Sequence, residues 1–379
     1  MSVFTDLVGQ DAAIDILSHA ARTPAAMTHA WLFTGPPGSG RSVAARAFAA
    51  ALQCPDGGCG DCEACHTVLT GSHPDVEVVA PEGLSYSVKE MRQLVVDAAM
   101  APVRKRWRIV IIEDADRFTE QASNAFLKTL EEPPPRAVLL LCAPTLESED
   151  VSPTIRSRCR HVALRTPPTA AVAEVLVRRD GIDPPMAAFA ARITQGHIGR
   201  ARRLARDEDA RRRRREVLAL PQQIATVPGA LAAAENLIGA AKEESLALTA
   251  ELEARELSDL RSALGATEGK PAPRGTAGAF SDLEKRQKSR ATRTERDALD
   301  RALTDLAGFY RDVLVMQSAP GAEVVNADLA EQVAAVARAS TAEMTVRRID
   351  AVLACREAIG LNVNPQLAAE AMALALRAG

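Results

Sequence analysis

The chain has 379 residues, enough for two or three domains, and combines 47% hydrophobic side chains with only 3% aromatic ones, a balance that suits alanine-rich helices packed through small aliphatic groups. Its formal net charge of −3 excludes a globally basic nucleic-acid binder, so any such contact needs a local patch. No uncharged apolar run reaches the ~18 residues of a membrane span, and Phe4 to Gln10 already carries Asp6, so neither a spanning helix nor a signal peptide is expected and the predicted compartment is the cytoplasm.

Asp11 to Ala21 reads as a helix, with Ile14, Leu17 and Ala21 at helical spacing. Ala30 to Thr34 is a short buried strand that runs into a glycine-rich loop, and Ser42 to Leu52 is an alanine-rich helix. Between them Gly35-Pro36-Pro37-Gly38-Ser39-Gly40-Arg41-Ser42 fits G-x-x-x-x-G-K-[ST] everywhere except at the lysine, which is Arg41. Strand, loop and helix in this order are the context a phosphate loop requires. About one helix later come Cys54, Cys59, Cys62 and Cys65, spaced C-x4-C-x2-C-x2-C. Asp75 to Val79 is a second strand, Ser87 to Met100 a helix, and Arg108 to Ile112 a third strand that ends on Glu113 and Asp114. A helix over Glu120 to Glu131 stops at Pro133, Pro134 and Pro135; strands follow at Ala137 to Cys142 and His161 to Leu164. Continuous apolar strands alternating with helices predict a parallel α/β sheet covered on both faces, over residues 1–166.

After Thr166-Pro167-Pro168 the pattern is helical only. Residues 167–206 read as a small helical lid broken near Gly181 to Pro185, and 207–379 as an all-α collar domain. Its one interruption, Gly265 to Gly278, is rich in Gly, Ala and Pro and predicts a flexible insertion near 264–285. The basic run Arg211 to Arg215 reads as a solvated helix face with no DNA-binding role, and there is no internal repeat.

A phosphate loop works because backbone N–H groups and a helix N-terminus surround the phosphates, with a lysine adding compact charge and a Ser or Thr holding Mg²⁺. Arg41 keeps the charge but is longer, planar and differently hydrated. Gly35, Gly38, Gly40, Arg41 and Ser42 therefore make a degenerate nucleotide site, with ATP and Mg²⁺ as possible ligands; the alternative is a loop retained only for the domain's shape. The other half of such a site is an acidic strand end, an Asp ordering Mg²⁺ followed by a Glu activating water. Here the order is Glu113-Asp114, and the shorter carboxylate stands at the water-activating position. Two departures in one site predict a feeble ATPase or none.

Four cysteines within twelve residues suit tetrahedral Zn²⁺ bound by four thiolates, a closed and hence structural site at 54–65. Pro55, Gly57, Gly58 and Gly60 allow the tight turns that wrapping a metal needs. An iron–sulfur cluster and redox thiols are the rival readings. His66 and His73 lie nearby, but the cysteines already complete the ligand count. Cys142, Cys159 and Cys355 stand apart and read as ordinary buried thiols.

Phe4 to Gln10 (FTDLVGQ), the phosphate loop, Ala125 to Pro134 (AFLKTLEEPP) and Thr154 to Cys159 (TIRSRC) resemble the AAA+ clamp-loader subunits of bacterial DNA polymerase III. The resemblance is strong over about residues 1–205 and weaker beyond, where Asn362 to Leu367 (NVNPQL) is similar to the end of the family's collar. Within the family it points to the delta-prime type. It implies an AAA+ domain, a helical lid and a helical collar, and gives the arginine of the Ser-Arg-Cys triplet, Arg158, the role of a trans arginine finger at a neighbouring subunit's ATP. The implied partners are gamma/tau-like motor subunits, a delta-like subunit, the sliding clamp, and primer–template DNA through the assembled complex. The family's motor subunits place a sensor arginine where Gly199 stands here, with Arg200 one step off, and the first cysteine gap is shorter than the family's. Nothing resembles a polymerase active site. The alternatives are an ATP-hydrolysing motor, using Arg41 and Ser42 for MgATP and Asp114 or Glu113 for water, and a pure scaffold whose zinc knob and collar serve assembly.

Overall fold

The computed structural model describes residues 2–104, 106–264, 277–319 and 321–379. They divide into two units, Met1–Arg206 and Asp207–Gly379.

In the first unit the elements alternate as α1 (Asp11–Arg22), β1 (Ala30–Thr34), α2 (Arg41–Gln53), α3 (Glu63–Thr70), β2 (Val76–Val79) and α4 (Val88–Ala98). There follow β3 (Arg108–Ile112), α5 (Glu120–Glu131), β4 (Ala137–Ala143), the short α6 (Pro153–Arg156) and β5 (Arg160–Ala163). All neighbouring strands pair in parallel, in the order β2-β3-β4-β1-β5. Every residue of β1, β3 and β4 is buried, as expected of central parallel strands, whereas edge strand β5 buries only Val162.

Alternation along the strands splits the core into two layers. Trp31, Phe33, Ile109, Ile111, Val138 and Leu140 pack against Leu17 of α1 and Phe48 of α2. Leu32, Val110, Ile112, Leu139 and Leu141 pack on the opposite face against Met91, Leu94 and Phe126 of α4 and α5. Trp31 meets Phe48 edge-on at 4.8 Å between ring centroids. Burying a side chain of that kind contributes about 1.5–3 kcal/mol, and the alanine-rich α2 allows the close approach. Ser87 caps α4 through a reciprocal box with Glu90, and α5 stops where Pro133 restricts the residue before it.

Helices α7 (Thr169–Arg178), α8 (Pro184–Ile193) and α9 (Ile198–Arg206) close the first unit around Val172, Leu176, Ala187, Ala190, Ala191 and Ala201. The second unit is helical throughout its described residues: α10 (Glu208–Leu218), α11 (Leu220–Gln223), α12 (Val227–Ala263), α13 (Ala277–Ser318), α14 (Ala330–Ala339), α15 (Ala342–Gly360) and α16 (Pro365–Ala378), with a short 3₁₀ turn at Ala327–Leu329. Leu299, Leu303, Leu306, Phe309, Tyr310 and Val313 form an apolar stripe on α13 and centre its core. The α/β domain with a parallel sheet, followed by helices, is the expected fold class. No helix among the described residues is long and apolar enough to cross a membrane.

Some local expectations change. Helix α3, which carries Cys65, has no counterpart in the sequence reading, and β2 and β5 each begin one residue away from the expected start. Of the expected flexible insertion, 265–276 lie outside the described residues, while 277–285 are the first turns of α13. The Arg211–Arg215 run is not wholly a solvated face. Arg214 is buried, with Nε 3.6 Å from Asp305 Oδ1 and Nη1 3.7 Å from Asp328 Oδ2, and it donates to Asn326 Oδ1. Asn326 is fixed in turn by Asp312, whose Oδ2 accepts from its backbone N–H and its side-chain amide, both at 2.7 Å. Cys142 and Cys355 are buried, but Cys159 is only half-buried because it follows the exposed turn after α6.

Candidate functional site: a phosphate loop under a helical cover

The loop between β1 and α2 is shaped by glycines in conformations that side chains disfavour. Gly38 has φ +87° and Gly40, the residue before α2, has φ +91°. Gln10 holds the loop from behind: its Nε2 donates to the Ser39 carbonyl (3.2 Å) and the Arg165 carbonyl (2.6 Å), and its Oε1 accepts from Arg165 N–H (3.0 Å). Ser39 is itself buried, and its Oγ lacks a hydrogen-bond partner among the described residues.

A cavity of about 340 Å³ opens in front of the loop. Pro37 to Val43 form one wall, Asp6 to Val8 another, and Val175, His197, Ile198 and Arg202 of the three-helix cluster and its entry turns a third. Asp6 and Arg179 form an ion pair across from the N-terminal segment to the end of α7. Arg202 is committed to Asp180 (2.7 Å), whose side chain is largely covered and which also accepts from Arg206 (3.3 Å). Gly199, the expected sensor position, lines the cavity without offering a cation.

The charged groups of the motif are occupied within the chain. Arg41 turns back so that its Nη1 donates to the Gly35 carbonyl at 2.9 Å. Glu113, at the end of β3, pairs through Oε1 with Arg46 Nη2 at 3.2 Å. Asp114 adopts a left-handed φ of 51° and faces Arg117 at 4.0 Å. Burial pushes the Asp116 carboxyl up, and the charge of Asp114 adds to the shift. Burial also pushes up the Cys142 thiol, where the charges of Glu113, Arg41, Asp114 and Arg46 all act, so the two halves of the motif do converge at the end of the sheet. Glu113 and Asp114 are not among the residues lining the cavity.

Arg158 lies on the turn between α6 and β5, with its side chain one-third exposed. Its Nη1 donates to the Thr154 carbonyl (3.0 Å) and Ser157 Oγ (3.2 Å), and its Nη2 to Glu131 Oε1 (2.5 Å).

The four cysteines meet where α2 ends and α3 begins, their Sγ atoms all within 4.8 Å of one another. Cys54 Sγ is 3.6 Å from Cys59 Sγ and 3.7 Å from Cys62 Sγ. Those separations fit the edge of a thiolate tetrahedron, about 3.8 Å for metal–sulfur bonds of ~2.3 Å. Backbone N–H groups of Cys59, Gly60 and Cys65 point at the sulfurs of Cys54, Cys65 and Cys62, each at 3.4 Å. Burial opposes charge on Cys54, but the amides of Cys59, Gly58 and Asp56 outweigh it and bring its thiol down to about 6. Burial raises Cys65 instead. Such a cage suits a soft divalent cation.

Arg46, Gln10, His197, Arg202 and Glu131 were given no role by the sequence. Gln10, as the last residue of FTDLVGQ, Glu131, within AFLKTLEEPP, and His197, two residues before the expected sensor position, lay in stretches singled out there.

A five-stranded parallel sheet with a phosphate loop after its first strand and a helical cluster over that loop defines a P-loop domain of the AAA+ type. A family model described as DNA polymerase III, delta subunit, matches residues 9–168, and one described as DNA polymerase III, delta subunit, C terminal, matches residues 291–377. The chain belongs to the clamp-loader subunit family of bacterial DNA polymerase III. It is 30% identical over 197 residues to DNA polymerase III subunit delta′ of Bacillus subtilis, covering 51% of this chain and 59% of that protein. Against subunit delta′ of Pseudomonas aeruginosa the identity is 38% over 159 residues, 40% of this chain and 47% of the other. Against subunit gamma/tau of Mycobacterium bovis it is 36% over 180 residues, 46% of this chain and 31% of the other. The chain thus spans between about a third and three-fifths of the length of these relatives.

Proposed function

We propose that the chain is a delta-prime-like, non-motor subunit of the clamp loader that helps place the sliding clamp on primer–template DNA. Its partners are gamma/tau-like motor subunits and a delta-like subunit, joined through the helical collar. The observation that carries this reading is the internal occupation of its own motif: Arg41 on the Gly35 carbonyl and Glu113 on Arg46. With its cation and its strand-end carboxylate both engaged, the loop is a poor hydrolytic site. Arg158, on the turn after α6, is one-third exposed and carries a charged fork suited to a phosphate, held within the chain by Thr154, Ser157 and Glu131. Its role is to meet the γ-phosphate of ATP bound by a neighbouring subunit and stabilise the charge that spreads over it during transfer.

Cys54, Cys59, Cys62 and Cys65 hold structural Zn²⁺, to which the tetrahedral sulfur spacing and the amides aimed at the sulfurs are suited. Residues 167–206 act as a lid over the degenerate site. The similarity to gamma/tau favours one second reading, a motor subunit whose Arg41 swings off Gly35 to bind MgATP.

Titration calorimetry of the isolated chain with MgATP separates the two. The non-motor reading expects no saturable heat at high micromolar nucleotide, and saturable binding with turnover would establish the motor. In the reconstituted complex, Arg158→Ala is expected to slow hydrolysis about a hundredfold at the one site it serves. Unchanged turnover would leave a scaffold role only.

A further inference from the structure

Glu131 is the last residue of α5, next to Glu132, with Lys128 as the basic residue of that turn. A carboxylate there faces the negative end of the helix dipole, so local helix energetics do not favour it. Its partner is Arg158, at 2.5 Å from Nη2 to Oε1, and both side chains are partly exposed, 33% for Arg158 and 49% for Glu131. An ion pair so open to solvent adds little to folding. Its larger effect is on where the guanidinium points.

The arm of Arg158 is held at two places. Nη1 is fixed near its own turn by the Thr154 carbonyl and Ser157 Oγ, neutral groups that leave the charge intact. Nη2 is fixed by Glu131, which cancels the charge. Among the described residues Nε has no partner, so an anion that displaces Glu131 from Nη2 would meet both donors of that edge. A nucleotide phosphate carries more negative charge than a carboxylate and can accept from both nitrogens of that edge.

We propose that Glu131 is a positioning residue for Arg158: it holds the guanidinium neutralised on its own subunit and yields it to the terminal phosphate of a nucleoside triphosphate presented by a neighbour. The inference rests on Arg158 acting in trans. The exchange makes the finger conditional on a well-formed interface, since a badly placed phosphate does not displace the carboxylate. No covalent step is involved.

The test uses the reconstituted clamp-loader complex with Glu131→Gln, Arg158→Ala and the double variant, assembly being checked by size-exclusion chromatography. Glu131→Gln keeps an acceptor but removes the charge. It is expected to raise kcat for ATP hydrolysis in the absence of DNA about two- to fivefold, the range an exposed ion pair spans, with KM for ATP unchanged. In the Arg158→Ala background the same substitution should change nothing, whereas a merely structural effect would persist there. If Arg158→Ala slows hydrolysis but Glu131→Gln leaves kcat at or below that of the unaltered complex, Glu131 has no such role and Arg158 keeps its own. If Glu131→Gln accelerates equally with and without Arg158, the carboxylate acts elsewhere and the inference is overturned. If Arg158→Ala leaves turnover unchanged, the trans reading of Arg158 fails, and this inference with it.

Discussion

A Cβ built on Gly38 would come within 2.6 Å of the Cα, Cβ and Cγ of His197, so the phosphate loop is also the seat of the turn that leads into α9. Gly38→Ala meets both that contact and a φ of +87°. The backbone strain alone costs about 1–3 kcal/mol, roughly 2–12 °C in Tm for a unit of this size. Faster amide exchange across residues 169–206 should accompany it. Adding His197→Ala should not restore stability, because the Cα of residue 197 remains in the way; recovery by the double variant would show that the imidazole was the obstacle.

Arg41→Lys should release the Gly35 carbonyl and return a compact charge to the loop. The expected result is saturable MgATP binding by calorimetry without appreciable turnover, because Glu113 stays engaged by Arg46. Failure to bind would mean that the helical cover, and not the arginine, keeps the cavity closed.

Zinc analysis of the purified chain should find stoichiometric metal. Chelation or Cys59→Ser should destabilise the first unit by about 3 kcal/mol or more, since binding free energy at such a site is folding free energy, or roughly 6–12 °C in Tm. The second unit should melt as before. A metal-free chain of undiminished stability would rule out the structural role.

Arg214→Ala should remove the buried guanidinium that pairs with Asp305 and lower the stability of the second unit by about 3–5 kcal/mol. Arg212→Ala, two residues away and exposed, should stay within about 0.5 kcal/mol. Denaturant melts of both variants decide it. Equal effects would mean that Arg214 is not the anchor its burial implies.

Glu256 on α12 accepts from Arg290 on α13 at 2.7 Å, and that bond, reinforced by Gln287, holds its carboxyl below the usual range against the opposing effect of burial. A carboxyl depressed in the folded state stabilises it above the unfolded value of about 4.3 and stops doing so as the pH falls through the folded one. Glu256→Gln should therefore cost about 0.5–1 kcal/mol at neutral pH and nothing once the pH lies below the folded value. A difference that persists in acid would point to packing rather than charge.

The parallel sheet was legible because β1, β3 and β4 are unbroken apolar runs between helices, and the phosphate loop because its glycines sit at fixed spacing. Helix α3 was not, since only eight residues separate the metal-ligand turns from Gly71 and its N-cap is Cys62, a residue read first as a ligand. Arg214 was hidden among four other arginines, and its partners Asp305, Asn326 and Asp328, some ninety and more residues later, mark it as different. The pairing of Arg46 with Glu113 and of Arg158 with Glu131 is likewise long-range and carries no local periodicity. Local pattern gave the elements; partnership between distant charges needed the folded chain.

Gln10 spans the Ser39 carbonyl and both backbone groups of Arg165 with a single amide. One side chain thereby makes the loop and the strand-to-helix connection parts of the same mechanical joint. A change in the loop's shape must either break those bonds in a buried setting or carry the root of α7 along with it. The loop could lose every trace of hydrolytic competence and still be kept, as the anchor to which the root of α7 is tied.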